Sequence, residues 1–226
     1  MTEKSNKALV LLSGGLDSSV LLSICKKDNF DIHAISFDYG QRHGVELQYA
    51  RWQAKYFNCS SHKIFKIEFY GGSALTENID VPQSRDVESI SSGIPITYVP
   101  SRNIVFLSYA SGYAEVNDID NIYIGVNAID YSGYPDCRKE FIMDFESLIN
   151  KSTKKGIDGR KFNIVTPLID LTKKEIIILG KKNGVDFSMT SSCYNPEQKK
   201  NCGLCDSCLL RQKGFKEALL KDPLEA

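Results

Sequence analysis

The chain has 226 residues, of which 42% are apolar and 25% charged, and its formal net charge is zero. That length supports one large domain, or a domain with a small appendage, without disulfide staples. The composition is that of a water-soluble globular protein. No apolar run approaches the ~20 residues that cross a bilayer, and no basic excess marks a dedicated nucleic-acid binder. Residues 1–7 carry charge and lead into a short apolar run that ends in a glycine loop, not a cleavage site. The expectation is a cytoplasmic protein without a signal peptide, acting on a small molecule, with no nucleic-acid and no membrane partner.

The apolar run Ala8-Leu9-Val10-Leu11-Leu12 predicts a strand buried on both faces. Val20, Leu21 and Ile24 predict a helix from about 17 to 27, and residues 32–37 a second strand. After Gly44, Leu47, Ala50, Ala54 and Phe57 mark one face of an amphipathic helix. Residues 63–69 alternate as a third strand. From 70 to 100 the pattern dissolves into glycines, serines and charges, an insertion long enough to imply function or mobility. A helix resumes near Asn103, residues 121–126 form a strand, 127–137 a loop, and another helix runs to about Asn150. A polar stretch, 151–161, precedes a short strand over 162–165. Thr172 with Glu175 is a capping box opening a helix that Gly184 closes in left-handed conformation. A cysteine loop over 190–205 leads to a last helix, reaching about Lys221, with Phe215 and Leu219 on one face.

Strands alternating with helices imply α/β architecture, a doubly wound parallel sheet with helices on both faces. The expected division is an ATP-binding domain with substrate loops over 1–186 and a C-terminal metal-binding region over 187–226. Ligands in such sheets bind beyond the carboxyl ends of the strands, so the loops after Leu12, Phe37 and Val126 should meet at one cleft. The first of these, Ser13-Gly14-Gly15-Leu16-Asp17-Ser18-Ser19, lies between strand and helix. Its glycines permit a tight turn and close anion approach, the helix start adds N–H donors, and the serines add hydroxyls. The loop lacks the Gly-Lys-Ser/Thr ending of a Walker A motif and the spacing of a dinucleotide fingerprint. The plainer alternative is an ordinary turn with Asp17 or Ser18 as helix cap. A carboxylate beside phosphates is repulsive without an intervening cation, so Asp17 is either that cap or a residue reaching ATP through Mg²⁺.

Of seven cysteines, Cys25, Cys59 and Cys137 are scattered and read as small buried hydrophobes. The other four follow Cys193-x₈-Cys202-x₂-Cys205-x₂-Cys208. In a cytosolic chain this clustering points to a structural Cys₄ Zn²⁺ site, with an iron–sulfur cluster as the rival. Lys199, Lys200 and Arg211 are the nearby cations that could offset its negative charge.

The glycine loop resembles S-G-G-x-D-S, the signature of the ATP pyrophosphatase (PP-loop) superfamily, whose members cleave ATP between the α and β phosphates. Three further stretches extend the likeness: Phe37-Asp38-Tyr39-Gly40-Gln41-Arg42-His43, Tyr98-Val99-Pro100-Ser101-Arg102-Asn103, and Asp130-Tyr131-Ser132-Gly133-Tyr134-Pro135-Asp136-Cys137-Arg138. With the four cysteines they make nearly the whole chain similar to the 7-cyano-7-deazaguanine synthase (preQ0 synthase) family. The family pattern often has glycine where Ser101 stands. The resemblance implies an ATP-dependent C–N ligase and nitrile synthase of queuosine biosynthesis. It would convert 7-carboxy-7-deazaguanine and ammonia through an adenylated carboxylate and an adenylated amide, releasing AMP and pyrophosphate. It implies ATP contacts over Leu12, Ser13, Gly14, Gly15, Leu16, Asp17, Ser18, Ser19, Val20, Leu21 and Leu22. Asp38 to His43 would flank adenine and ribose. Tyr98, Arg102, Asn103, Asp130 and Tyr131 would bind the deazapurine, although Asp130 also reads as a turn former. Lys173 matches a lysine in a C-terminal P-L-x-x-x-x-K-x-E motif and, with Arg102 and Asp17, is a catalytic candidate. The alternative is a solvated lysine, though its place in a first helical turn is disfavoured by the dipole. A homodimer is implied by the family. The alternative function is another PP-loop adenylating enzyme, such as a tRNA-thiolating one.

Overall fold

A computed structural model describes residues 6–41, 44–68, 71–85, 93–127, 133–196 and 201–224. Strands β1 (Lys7–Leu11), β2 (Asp31–Asp38), β3 (Ser61–Lys66), β4 (Asn121–Tyr123) and β5 (Asn163–Val165) form one sheet. Neighbours pair in parallel in the order β3-β2-β1-β4-β5, with Val10 opposite Ala34 on one side and Tyr123 on the other. The central strand is apolar throughout because both its faces are covered. Ala8, Val10 and Leu12 enter one core layer and Leu9 and Leu11 the other, as a two-residue period requires.

The α-helices among the described residues are α1 (Leu16–Lys27), α2 (Val45–Tyr56), α3 (Arg102–Val116), α4 (Lys139–Ser152), α5 (Lys154–Ile157), α6 (Lys173–Lys182) and α7 (Asp206–Glu217). Val20 and Leu21 of α1, Ala50 and Ala54 of α2, Ile176 and Ile177 of α6, and Phe215 of α7 close one face. Leu107 and Ala110 of α3 and Ile142, Phe145 and Ile149 of α4 close the other. This is the doubly wound parallel α/β sheet expected from the sequence. After β1 the chain builds outward through β2 and β3, then crosses back to β4. The strand order therefore reverses between β1 and β4, and a crevice opens at their carboxyl ends. No helix among the described residues is long and apolar enough to cross a membrane.

Several expected elements shift. β3 spans 61–66 rather than 63–69 and lies at the sheet edge. β4 ends at Tyr123 rather than 126, although Ile124 N–H still donates to Val165 O at 3.2 Å. Beyond it Gly125 runs alongside α1, where an added Cβ would make ordinary contact with the Asp17 Cβ at 3.5 Å. The polar stretch 151–161 contains the single turn α5, held by buried Lys155, whose Nζ reaches Asp120 at 2.5 Å and Ile119 O at 2.6 Å. Such a turn has too few residues to show a period; its cause is tertiary. The last helix stops at Glu217, and Leu219 has φ 56° and is exposed, so it shares no buried face with Phe215. Leu220 N–H donates to Phe215 O at 3.1 Å, which turns the chain outward at 218–219. The capping box of α6 is present: Thr172 Oγ1 accepts from Glu175 N–H and Glu175 Oε2 accepts from Thr172 N–H. Gly184 has φ 80°, and Val185 N–H donates to Gly180 O at 2.9 Å.

Candidate active site

The glycine loop turns directly beneath the reversal in strand order. Gly14 has φ 86°, and a Cβ there would sit 2.2 Å from Glu46 O of α2. Only glycine lets the first turn of α2 press so closely on the loop. Gly14 O accepts from Gln53 Nε2 and from Ser191 N–H, each at 3.0 Å. Ser13 Oγ lies 3.1 Å from Ser18 Oγ and accepts from Gly15 N–H at 3.2 Å. Neither Asp17 nor Ser18 caps α1, whose N-cap is Gly15 with no side-chain bond. That leaves the first-turn N–H groups of α1 directed at the crevice, the arrangement that binds phosphate.

The cleft wall includes Leu12, Ser13, Gly15, Leu16, Asp17 and Ser18 from this loop and Lys173 from the start of α6. Of the residues expected at ATP, Gly14 lies off that wall, pressed under α2, and so do Ser19, Val20, Leu21 and Leu22 of α1. The pitch of α1 turns them into the core, where the last three are completely buried. Lys173 is not a solvated lysine. Its Nζ lies 2.9 Å from both carboxylate oxygens of Asp17, and the residue is buried. Its stem passes Gly214 of α7, where an added Cβ would lie 2.6 Å from the Lys173 Cγ. The cation that Asp17 requires beside a phosphate site is thus already present in the protein.

Across the cleft stand Tyr39, Glu46, Arg102, Phe106, Tyr134 and Cys137. Burial works against the Arg102 charge, but Tyr39, Cys137, Tyr134 and Asp136 outweigh it and raise its pKa. Burial pushes the Tyr39 and Tyr134 phenols up, the Cys137 thiol to about 12, and the Glu46 carboxyl to about 8. Asn103 also lines the cleft, but its side chain donates to Asp136 O at 3.0 Å and Cys137 Sγ at 3.4 Å. Tyr98 is not among the residues lining the wall; it packs edge-on against Tyr134, which does line it, at 6.1 Å. Its hydroxyl accepts from Ser101 N–H at 3.1 Å. Asp130 and Tyr131, like Arg42 and His43, lie outside the described residues. Glu46 and Phe106 were missed by sequence reasoning. Glu46 lies three residues past the end of a quoted motif, but its position on an ordinary helix face gives no chemical signal.

The four clustered cysteines converge, with all four sulfurs within 4.8 Å of one another. Around tetrahedral Zn²⁺ the sulfurs would be about 3.8 Å apart, given Zn–S bonds of about 2.3 Å. Backbone N–H groups of Tyr194, Asn195 and Cys202 already donate to these sulfurs at 3.2–3.3 Å. Hydrogen bonds from Cys193 and Cys208 hold Cys205 down as a thiolate, while Cys193 and Cys208 are pushed up. Four sulfurs this close share negative charge only with a cation among them, so the set fits a thiophilic divalent ion. Arg211 is not its counter-ion. The guanidinium is buried, pairs with Asp222 at 2.7 and 2.8 Å, and donates to Thr190 Oγ1 and Phe187 O. Lys199 and Lys200 lie outside the described residues. Part of the irregular 70–100 segment docks on this cluster: Ala74 and Val81 pack on the cysteines, Ser84 N–H donates to Leu204 O, and Arg85 pairs with Asp206.

The family model described as queuosine biosynthesis protein QueC matches residues 7–219. The chain belongs to the QueC family. A relative named 7-cyano-7-deazaguanine synthase, from Acetivibrio thermocellus, is 54% identical over 220 residues, covering 97% of each chain. Another of that name, from Desulfatibacillum aliphaticivorans, is 52% identical over 97% of this chain and 96% of its own. NMN synthetase from Francisella tularensis shares the fold at a TM-score of 0.50 and 19% identity, over 88% of this chain and 71% of that one. A 4-thiouridine synthetase shares the fold as well, at a TM-score of 0.51 and 17% identity over 93% of this chain and 53% of that one. Ser101 has φ 57° and ψ 19°, the left-handed conformation that favours glycine.

Proposed function

We propose that this protein is a 7-cyano-7-deazaguanine synthase, converting 7-carboxy-7-deazaguanine and ammonia to the nitrile with ATP. The observation that carries the reading is the pairing of buried Lys173 with half-buried Asp17, set beside a glycine loop and facing a wall that carries Arg102, Tyr39 and Tyr134. A carboxylate is a poor electrophile, and AMP as leaving group makes it a good one. Ammonia then gives the amide, and a second adenylation makes the amide oxygen a leaving group. In each adenylation an acceptor oxygen attacks the α-phosphorus and pyrophosphate departs. The loop N–H groups and Lys173 would hold the phosphates, and Arg102 would meet the acceptor carboxylate, so the protein's part is positioning and charge stabilisation. Mg²⁺ would enter with ATP, and Asp17 is the carboxylate beside the phosphate cradle able to reach it. Asp130 and Tyr131 keep their expected place at the deazapurine as part of this proposal.

Cys193, Cys202, Cys205 and Cys208 would hold structural Zn²⁺, which contributes folding energy and no open coordination position. The division into residues 1–186 for ATP chemistry and 187–226 for the metal belongs to the same proposal, as do a cytoplasmic location and a homodimer. Incubation with ATP, Mg²⁺, ammonium and 7-carboxy-7-deazaguanine should yield AMP, pyrophosphate and the nitrile. ATP bound but never cleaved, or AMP formed only with tRNA, would overturn the reading. Metal analysis should find one zinc per chain, and a brown, iron-containing protein would overturn the zinc assignment.

A further inference from the structure

The nitrogen enters this reaction carrying three hydrogens and ends in a nitrile with none. When ammonia attacks the acyl adenylate, a C–N bond forms, the C–O bond to AMP breaks, and one proton must leave nitrogen. When the amide oxygen is adenylated, pyrophosphate leaves and nitrogen gives up a second proton. When the C–O bond to AMP then breaks and C≡N forms, the third goes. A group beside the acceptor must take protons in each of these steps.

Few described groups on the cleft wall can do so. Asp17 is bound through both oxygens to Lys173. The Tyr39 and Tyr134 phenols and the Cys137 thiol are held protonated by burial. Lys173 and Arg211 are cations committed to Asp17 and Asp222, and the groups around Arg102 keep its guanidinium charged. Glu46 differs from all of them. It lies in the first turn of α2, pressed against Gly14 through its own backbone carbonyl, so its position relative to the glycine loop is fixed. Its side chain lines the cleft, and no hydrogen bond or ion pair ties the carboxyl to another described side chain. Resting on the proposed function, the geometry points to Glu46 as the general base that takes protons from the nitrogen during amide and nitrile formation.

The electrostatics suit that task. Burial lifts the carboxyl to about 8 against the pull of Arg102, and the start of α2 would by itself favour the anion. Facing groups are Arg102 from α3, Tyr39 from the end of β2, and the neutralised Asp17–Lys173 pair across the cleft. A carboxylate of this strength is a far better proton acceptor than an ordinary one, and still ionises near neutral pH.

The test uses the full chain with 7-carboxamido-7-deazaguanine as substrate, which removes the ionisation of ammonium from the pH profile. Wild-type conversion of this amide to nitrile should rise with pH through about 8, because the base acts when ionised. Glu46→Gln should lose about 10²-fold or more in nitrile formation and lose that rise. Carboxylate-dependent exchange of pyrophosphate into ATP and the thermal melting curve should both be retained, since Gln keeps the shape and carries no buried charge. Glu46→Asp should recover part of the rate and restore the pH dependence. Glu46→Gln within about threefold of wild type on the amide, or with the rise intact, would overturn the assignment. If wild type converts neither carboxylate nor amide, the proposed function itself falls.

Discussion

Two helices deliver a cation into the cleft from their first residue, and they do it by opposite means. α6 starts at Lys173 and α3 at Arg102. A positive charge at a helix N-terminus is disfavoured by about 0.3–1 kcal/mol, so each needs compensation. At α6 the start is built locally, by the Thr172–Glu175 capping box, and Asp17 supplies the counter-charge. At α3 there is no side-chain cap from the N-cap residue, and Ser101 is held in left-handed conformation. There a distant residue does both jobs. Buried Asp136 accepts from Asn103 N–H at 3.0 Å and lies in the set of groups that raise the Arg102 pKa. A locally built start holds its cation whatever the rest of the cleft does, whereas α3 depends on the 135–137 turn staying in place.

The largest expected effect separates the two cations. Lys173→Met and Arg102→Met should each lower nitrile formation by about 10²–10³-fold, the loss seen when one preorganised charge-stabilising donor is removed. If Lys173 serves the phosphates, its variant should lose turnover with carboxylate affinity retained, and Arg102→Met should raise KM for the carboxylate. Steady-state kinetics with each substrate varied would show this, and the reverse pattern would exchange their roles. Next in size, Asp136→Asn should destabilise the protein by about 1–2 kcal/mol in urea, since it weakens a buried charged cap. It should also lower activity, because that carboxylate is one of the groups that favour the Arg102 charge. Thr172→Ala should cost about 1 kcal/mol, the usual loss for an N-cap. It should leave kcat nearly unchanged, because Asp17 still holds Lys173. A Thr172→Ala enzyme as damaged in kcat as Asp136→Asn would erase the contrast.

The same contrast governs what the sequence revealed. The capping box, the positive φ of Gly184 and the glycine loop are local, and each was legible from a few adjacent residues. The apolar β1 and the alternation of strands and helices carried the fold class. Lys173 was recognisable because it matches a lysine of the resembled family's C-terminal motif, and a lysine in a first helical turn needs a reason. By contrast, the commitment of Asn103 to Asp136 and Cys137, the seating of Glu46 beside Gly14, and the docking of Ala74 and Val81 on the cysteines join in space residues that lie 32 to 134 positions apart in the chain. No period or spacing encodes them. Arg211 shows the converse error: proximity in sequence suggested a counter-ion for the thiolates, and Asp222 takes it instead.

The smallest expected effect is also the one with an unusual sign. Ser101 has φ 57°, where a side chain costs roughly 1–2 kcal/mol relative to glycine. Glycine would lose about 0.5–1 kcal/mol of that gain through the greater freedom of its unfolded chain. Ser101→Gly should therefore stabilise the protein by up to about 1 kcal/mol, measured as a higher urea midpoint with unchanged slope. The backbone N–H that donates to Tyr98 Oη is kept in glycine, so that contact survives. At α6 the equivalent change, Thr172→Gly, removes a cap from an extended N-cap with φ −69° and relieves no strain, so it should destabilise. Opposite signs for the same substitution at two helix starts would show that α3 is strained into position by its surroundings while α6 is not. Equal signs would mean that Asp136 holds α3 without cost and that serine at 101 is as comfortable as glycine.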